Sequence, residues 1–342
     1  MIIDCFPDRL ISQNNETFLY FGGTSYLGMA TLPAFQERLF KSIKQWGTSY
    51  GSSRNANVKL AVYDEFETLF SKFIGAESAL TVSSGMLAGR LVIEYFKKNK
   101  CSFYHYPNSH PAILDSNSQS VFENGFLHPD LTNAIKEDVI IVLDAMLSSE
   151  VYPTSFSFLE HISEAKQITL IIDESHSLGI VGPSGEGVFN TVENKNIHRK
   201  IMVSSLGKAL GLSGGIIASD VDFIEKLKQE NLFISSSAAN PAYLDAFLKS
   251  KALYSLQMQK LKDNLKFFFS ELQLSSKFKY DVNYPVIYCN DESVYKLLYD
   301  NGILIANFKY PNYEGLMSRI VITANHTQED LLRLKTLLQK II

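Results

Sequence analysis

Between about residue 60 and residue 220, short apolar runs alternate with helical patterns, the signature of strand-helix units and a mostly parallel sheet. Val62, Phe66, Leu69, Phe70 and Phe73 fall at i, i+4, i+7, i+8 and i+11, which predicts a helix with one buried stripe. Strands are predicted at 78–83, 138–144, 168–173, 201–204 and 215–218, each ending in polar or glycine-containing sequence. Such ends are where open α/β sheets build their sites. After Pro241 a long helical pattern runs towards Leu272, followed by shorter apolar pieces at 286–289, 303–308 and 320–323 and a last helix after Thr327. This tail predicts a small C-terminal α+β domain. The expected division is an N-terminal segment over 1–30, a large domain over 31–245 and a small domain over 246–342.

The length allows that division: 342 residues exceed the roughly 250 to 300 at which a single core stops growing. Composition narrows the partners. A net charge of −4 offers no basic field to a polyanion, so nucleic acid is not expected. No run of roughly 18 uncharged apolar residues occurs, and MIIDCFPDRL has no positive region leading into an apolar stretch, so no membrane association is expected. Cys5, Cys101 and Cys289 are odd in number and lack CxxC spacing, which predicts neither a disulfide framework nor a zinc or other metal site. A cytoplasmic location is the expectation.

The segment richest in chemistry is SSLGKALGLSGG, Ser204 to Gly215, where a lone lysine follows an apolar strand among small residues. Small neighbours let a bulky group lie against the backbone. A desolvated lysine is neutral often enough to attack a carbonyl, which makes Lys208 a candidate nucleophile; a surface lysine in a Gly-rich loop is the rival. Thirty-five residues earlier, TLIIDESHSLG puts Asp173, Glu174 and His176 at the end of a buried strand. A carboxylate there is costly unless paired. Asp173 suits the pyridine nitrogen of pyridoxal phosphate and equally suits a helix N-cap. SSGMLAG, with Ser84, Gly85 and Met86, follows a strand and opens a helix, offering backbone N–H groups to a phosphate or forming an ordinary turn. Phosphate cradle, acid and lysine come in that order on three strand ends of one sheet.

Together these residues resemble the α-oxoamine synthase family of fold-type I pyridoxal-phosphate enzymes, from about Tyr26 to the C-terminus. TSYLGM resembles the family's N-x-YLGL segment, GSSRNAN its glycine- and serine-rich loop, and NSHPAI the segment with a histidine over the cofactor ring. DESHSLGIVGPSGEG is similar to DEAHSxGxxGxxGxG, and SLGKALG to TxGKAxG. The resemblance implies a large domain with a mostly parallel seven-stranded sheet. It makes Lys208 the Schiff-base lysine and catalytic base, Asp173 the partner of the ring nitrogen, His176 a neighbour of the ring hydroxyl and His110 the residue stacked on the ring. Ser205 would bind the phosphate, Ser148 would lie near the cofactor, and Arg319 of SRIVITANHT would hold the substrate carboxylate. SSSAAN, near Ser236, would reach the neighbouring subunit's phosphate in a homodimer with a shared active site.

The chain also departs from the family. Thr24 stands where an asparagine helps bind substrate, Tyr63 where a histidine begins the helix after the serine-rich loop, and SEVYPTS replaces the SMDGD run after Ser148. Only 25 residues precede Tyr26, a shorter arm than the family's, and that arm contributes to the substrate entrance. The resemblance implies condensation of an amino acid with an acyl thioester, on coenzyme A or a carrier protein, to an aminoketone; alanine and a pimeloyl thioester are the first expectation. An aminotransferase, aldolase or lyase acting on a small amino acid, and a non-catalytic binding protein on the same scaffold, are the alternatives.

Overall fold

The strands of the large sheet read as nearly continuous apolar runs because both of their faces are covered. The computed structural model, which describes residues 2–13, 16–98, 101–309 and 316–341, shows this directly. Along the strand Lys166–Asp173, Ile168, Leu170 and Ile172 enter one apolar core while Ile171 enters another on the opposite face. The helix Gly85–Lys97 packs Ala88, Leu91, Val92 and Phe96 into the second core. The predicted stripe forms on the helix Ala61–Ile74, where Val62, Phe66 and Phe70 are buried in the first core and Leu69 and Phe73 pack at its margin. Each fully buried side chain of this size contributes about 1.5–3 kcal/mol.

In chain order the strands are β1 (Leu10–Gln13), β2 (Glu16–Phe21), β3 (Ser78–Val82), β4 (Ser102–His105), β5 (Gln119–Ser120), β6 (Phe122–Glu123), β7 (Phe126–Leu127), β8 (Glu137–Asp144), β9 (Lys166–Asp173), β10 (Ile197–Ser205), β11 (Gly215–Ser219), β12 (Phe278–Tyr280), β13 (Val286–Cys289), β14 (Ile303–Phe308) and β15 (Met317–Val321). The large sheet has seven of them in the order β3-β11-β10-β9-β8-β4-β5. Only β11 runs antiparallel to its neighbours. The carboxyl ends of β3, β8, β9 and β10 therefore share one edge of the sheet, with Asp144 level with Asp173 and Ser205 level with Gly215.

The small sheet has the order β1-β2-β14-β15-β13-β12. Sequence reasoning treated residues 1–30 as a separate segment; instead β1 and β2 join the C-terminal strands, β2 pairing in parallel with β14 through Leu19 and Ile303. The long helix expected from Pro241 to Leu272 is two helices, Pro241–Leu248 and Lys251–Phe269. They part at Lys249 and Ser250, where the Ser250 N–H turns to the Phe247 carbonyl. The last helix, Gln328–Leu338, begins as expected after Thr327, which forms a reciprocal capping box with Asp330. Among the described residues no helix is long and apolar enough to cross a membrane.

Candidate active site

Three chain segments meet at the shared edge of the large sheet with almost no space between their backbones. Ser84 caps the helix Gly85–Lys97, its hydroxyl accepting from the Leu87 N–H at 3.1 Å. A Cβ on Gly85 would lie 2.7 Å from the Ser205 Cα, and one on Gly215 would lie 2.2 Å from the Ser84 carbonyl oxygen. Glycine is required at both places for the segments to close. The Gly207 N–H donates to the Ser205 hydroxyl at 3.2 Å, and the Met86 side chain is left half exposed. The result is a helix N-terminus with a hydroxyl beside it, an arrangement suited to a phosphate. The structure brings Ser84, Gly85, Met86 and Ser205 together here.

At the ends of β8 and β9 stand two buried carboxylates, Asp144 and Asp173. Asp173 accepts from the Ser175 N–H at 2.8 Å. No helix follows it directly: residues 175–180 form turns, so the helix-cap alternative has no helix to cap. Asp144 accepts from the His110 N–H at 2.9 Å. Burial, and then the charge of Asp173, pushes its carboxyl well above the usual range. Lys208 follows β10; burial lowers the pKa of its amine, Asp173 and Asp144 act against that, and Arg319 adds to it. The lysine is thus in a desolvated setting, within the field of both acids.

His110 also lies here. Its Nδ1 accepts from the Ala112 N–H at 3.2 Å, so a neutral ring carries its proton on Nε2. Burial lowers its pKa, reinforced by Lys208 and opposed by Asp173. His176 shares a 3.0 Å hydrogen bond between its Nδ1 and the Tyr26 hydroxyl. Burial and then the charges of Lys208 and Arg319 push its pKa well below the ordinary histidine value. Glu174, between Asp173 and Ser175, has a different task. It accepts the Val188 and Phe189 N–H groups at 2.8 and 2.7 Å and thereby ties down the end of the segment that carries Gly179, Gly182, Gly185 and Gly187. Its pKa is pushed up to about 7 by burial.

From the small sheet, Arg319 of β15 reaches the same region. It is 8% exposed, donates from Nη2 to the Gly23 carbonyl at 3.1 Å, lies over the Phe308 ring, and keeps a buried Nε without a hydrogen-bond partner. Among the described residues it forms no ion pair, leaving its fork available to an incoming carboxylate. Thr24 adjoins Gly23 and is half-buried. The Ser148 carbonyl accepts from the Tyr288 hydroxyl at 2.6 Å. Ser236 stands apart: its hydroxyl donates to the Leu232 carbonyl at the end of the short helix Asn231–Ile234, and no hydrogen bond among the described residues joins it to the other candidates. Sequence reasoning missed Asp144, Tyr26, Tyr284 and Tyr288. For Asp144 a signal existed, since it ends an apolar run just as Asp173 does. Tyr26 stood within TSYLGM without a role attached to it; Tyr284 and Tyr288 gave no signal, because tyrosine in or beside a short apolar run reads as ordinary strand sequence.

Among curated proteins, an 8-amino-7-oxononanoate synthase of Azoarcus sp. (strain BH72) is 27% identical over 359 residues, covering 99% of this chain and 91% of its own. One from Petrotoga mobilis is 27% identical, with 94% and 87% covered. Among solved structures, a serine palmitoyltransferase of Sphingomonas wittichii matches with a TM-score of 0.80 at 17% identity, over 97% of this chain and 89% of that one. An 8-amino-7-oxononanoate synthase of Francisella tularensis matches with a TM-score of 0.70 at 23% identity, over 95% and 97%. These structures share the fold-type I architecture. The sequence profile described as aminotransferase class I and II spans residues 25–338, from the turn before Tyr26 to the last helix, and so takes in Asp173, His176, Lys208 and Arg319, with Gly23 and Thr24 just ahead of it. The chain belongs to the class I and II aminotransferase family.

Proposed function

We propose that this chain is a pyridoxal-phosphate-dependent acyltransferase of the α-oxoamine synthase type, condensing alanine with a pimeloyl thioester to 8-amino-7-oxononanoate. The observation that carries the proposal is the gathering of the desolvated Lys208 with two buried strand-end carboxylates and with Arg319, whose buried Nε has no hydrogen-bond partner. The likeness to named 8-amino-7-oxononanoate synthases over nearly the whole chain supports this choice of reaction.

The residues present fit the cofactor. The Gly85 and Met86 N–H groups and the Ser205 hydroxyl would hold the phosphate, and His110 would cover the ring. Asp173 would keep a proton on the ring nitrogen. With Nδ1 engaged by Tyr26, His176 has Nε2 left for the ring hydroxyl, near Ser148. When bound, pyridoxal phosphate supplies an electron sink that stabilises negative charge on the amino acid's α-carbon. Lys208, neutral more often than an exposed lysine, would take the proton from that carbon. Arg319 would fix the substrate carboxylate with its planar donors, beside Thr24. The large domain, 31–245, would carry the cofactor, and the small domain, 246–342 with the N-terminal strands, would carry Arg319. We further place the protein in the cytoplasm as a homodimer, in which Ser236 would serve the partner's phosphate.

The test is mass spectrometry of the loaded enzyme with alanine and pimeloyl thioesters of coenzyme A and of a carrier protein. The aminoketone, with release of carbon dioxide and the free thiol, is the expected product. Bound cofactor and alanine without aminoketone would overturn the acyltransferase reading. Turnover that requires a keto acid acceptor would favour an aminotransferase, and turnover of alanine with no second substrate a lyase.

A further inference from the structure

Two tyrosines of the small domain, Tyr284 just before β13 and Tyr288 on β13, end on backbone carbonyls of the large domain at the site. The Tyr284 hydroxyl donates to the His176 carbonyl at 3.2 Å, and the Tyr288 hydroxyl donates to the Ser148 carbonyl at 2.6 Å. Both side chains are buried, at 4% and 5% exposure. Their targets are equivalent in the fold: His176 lies three residues beyond Asp173 at the end of β9, and Ser148 four beyond Asp144 at the end of β8. On the small sheet, Tyr288 and Arg319 are register partners on β13 and β15. The Tyr284 ring also lies 6.4 Å from that of Tyr26, whose hydroxyl bonds to His176 and whose carbonyl accepts the Ala324 N–H from the segment after β15.

From these contacts we infer that Tyr284 and Tyr288 are positioning residues: they clasp the small sheet to the ends of β8 and β9 and so fix Arg319 at its working distance from Lys208 before substrate arrives. Because the hydroxyls bond to carbonyls, the clasp depends on the path of the backbone and not on which side chains the large domain carries there. A register partner cannot shift without carrying its neighbour, so a held Tyr288 holds Arg319. A carboxylate then meets a guanidinium already in place, and no binding energy is diverted to closing two domains.

The inference rests on the proposed role of Arg319, so the test has one arm independent of it. Tyr284→Phe and Tyr288→Phe each delete one hydroxyl and keep the ring, and Tyr299→Phe, at an exposed ring, is the control. In the cofactor-free protein, hydrogen exchange read by mass spectrometry is expected to quicken in 176–179 for Tyr284→Phe and in 144–148 for Tyr288→Phe, with 317–321 affected in both. In the loaded protein, titration with alanine followed by cofactor absorbance is expected to show Kd rising about five- to tenfold, with kcat changed less. A lowered Tm with unchanged exchange in these segments and unchanged alanine affinity would mean that the hydroxyls are merely structural and would overturn the inference. If the wild-type protein binds no amino acid, the proposed function fails, and the exchange arm alone decides the clasp.

Discussion

Asp144 and Asp173 are register partners on neighbouring parallel strands, each 6% exposed or less, and Lys208 sits in the field of both. Two adjacent buried carboxyls do not both ionise readily, and burial together with the charge of Asp173 pushes Asp144 towards its protonated form. The pair is therefore expected to divide in function. Asp173→Asn is expected to lower kcat on the order of 100-fold or more while the fold persists. Asp144→Asn, which mimics the protonated acid and still accepts the His110 N–H, is expected to stay near wild-type rates. Steady-state kinetics of the two variants checks this; equal losses would refute the division.

Lys208→Ala should fold normally, because among the described residues the side chain makes no hydrogen bond or ion pair that holds the structure together. Its expected defect is chemical: the visible absorption band of the loaded wild type disappears and turnover is lost. Absorbance and far-ultraviolet circular dichroism on the same sample separate the two effects.

Arg319→Gln keeps the size of the side chain approximately but removes the charge and the fork. The expected result is a rise of about 10- to 100-fold in KM for the amino acid, the scale of lost hydrogen bonds to a charged group. An unchanged KM would move the carboxylate site elsewhere.

Gly215→Ala would bring a methyl group to 2.2 Å from the Ser84 carbonyl, where backbone, not a flexible side chain, must give way. A cost of about 1–3 kcal/mol is expected, with Tm lower by about 1–4 °C and weaker cofactor binding as the cradle opens. Calorimetry of the cofactor-free and loaded protein reads both.

Glu174 makes stability depend on pH. Its folded pKa of about 7 lies above that of an unfolded glutamate, so between the two values the folded state binds more protons. Stability therefore falls as pH rises through that window, by up to about 3 kcal/mol, and the term is absent below it. Melting curves from pH 4 to 8 should show the wild type losing ground against Glu174→Gln as pH rises; parallel curves would contradict the assignment.

The central strands were legible because a parallel sheet buried on both faces leaves apolar runs such as Ile168–Ile172, and Lys208 and Asp173 stand out at the ends of such runs. The pairing of β2 with β14 left no local trace: Leu19 and Ile303 show ordinary strand chemistry, and nothing near either names its partner. β12, three residues long, and the helix Glu292–Asp300 were passed over because the first is too short for a period and the second buries only Val294 and Leu298. Arg319 was found by resemblance. Its neighbours Tyr284 and Tyr288 were not, since their roles depend on contacts between two sheets.

The small sheet is built from strands that precede and strands that follow the large sheet in sequence, and this has a consequence for how the protein is made. β1 and β2 leave the ribosome before the large sheet, yet their lasting partner, β14, is synthesised after it. Until then the hairpin presents an open edge, and its closure is a contact of very long sequence separation, which folds slowly and is open to mispairing. The large sheet, assembled from residues 78–219, can form in the meantime, so the site acquires its lysine and its acids before it acquires its arginine.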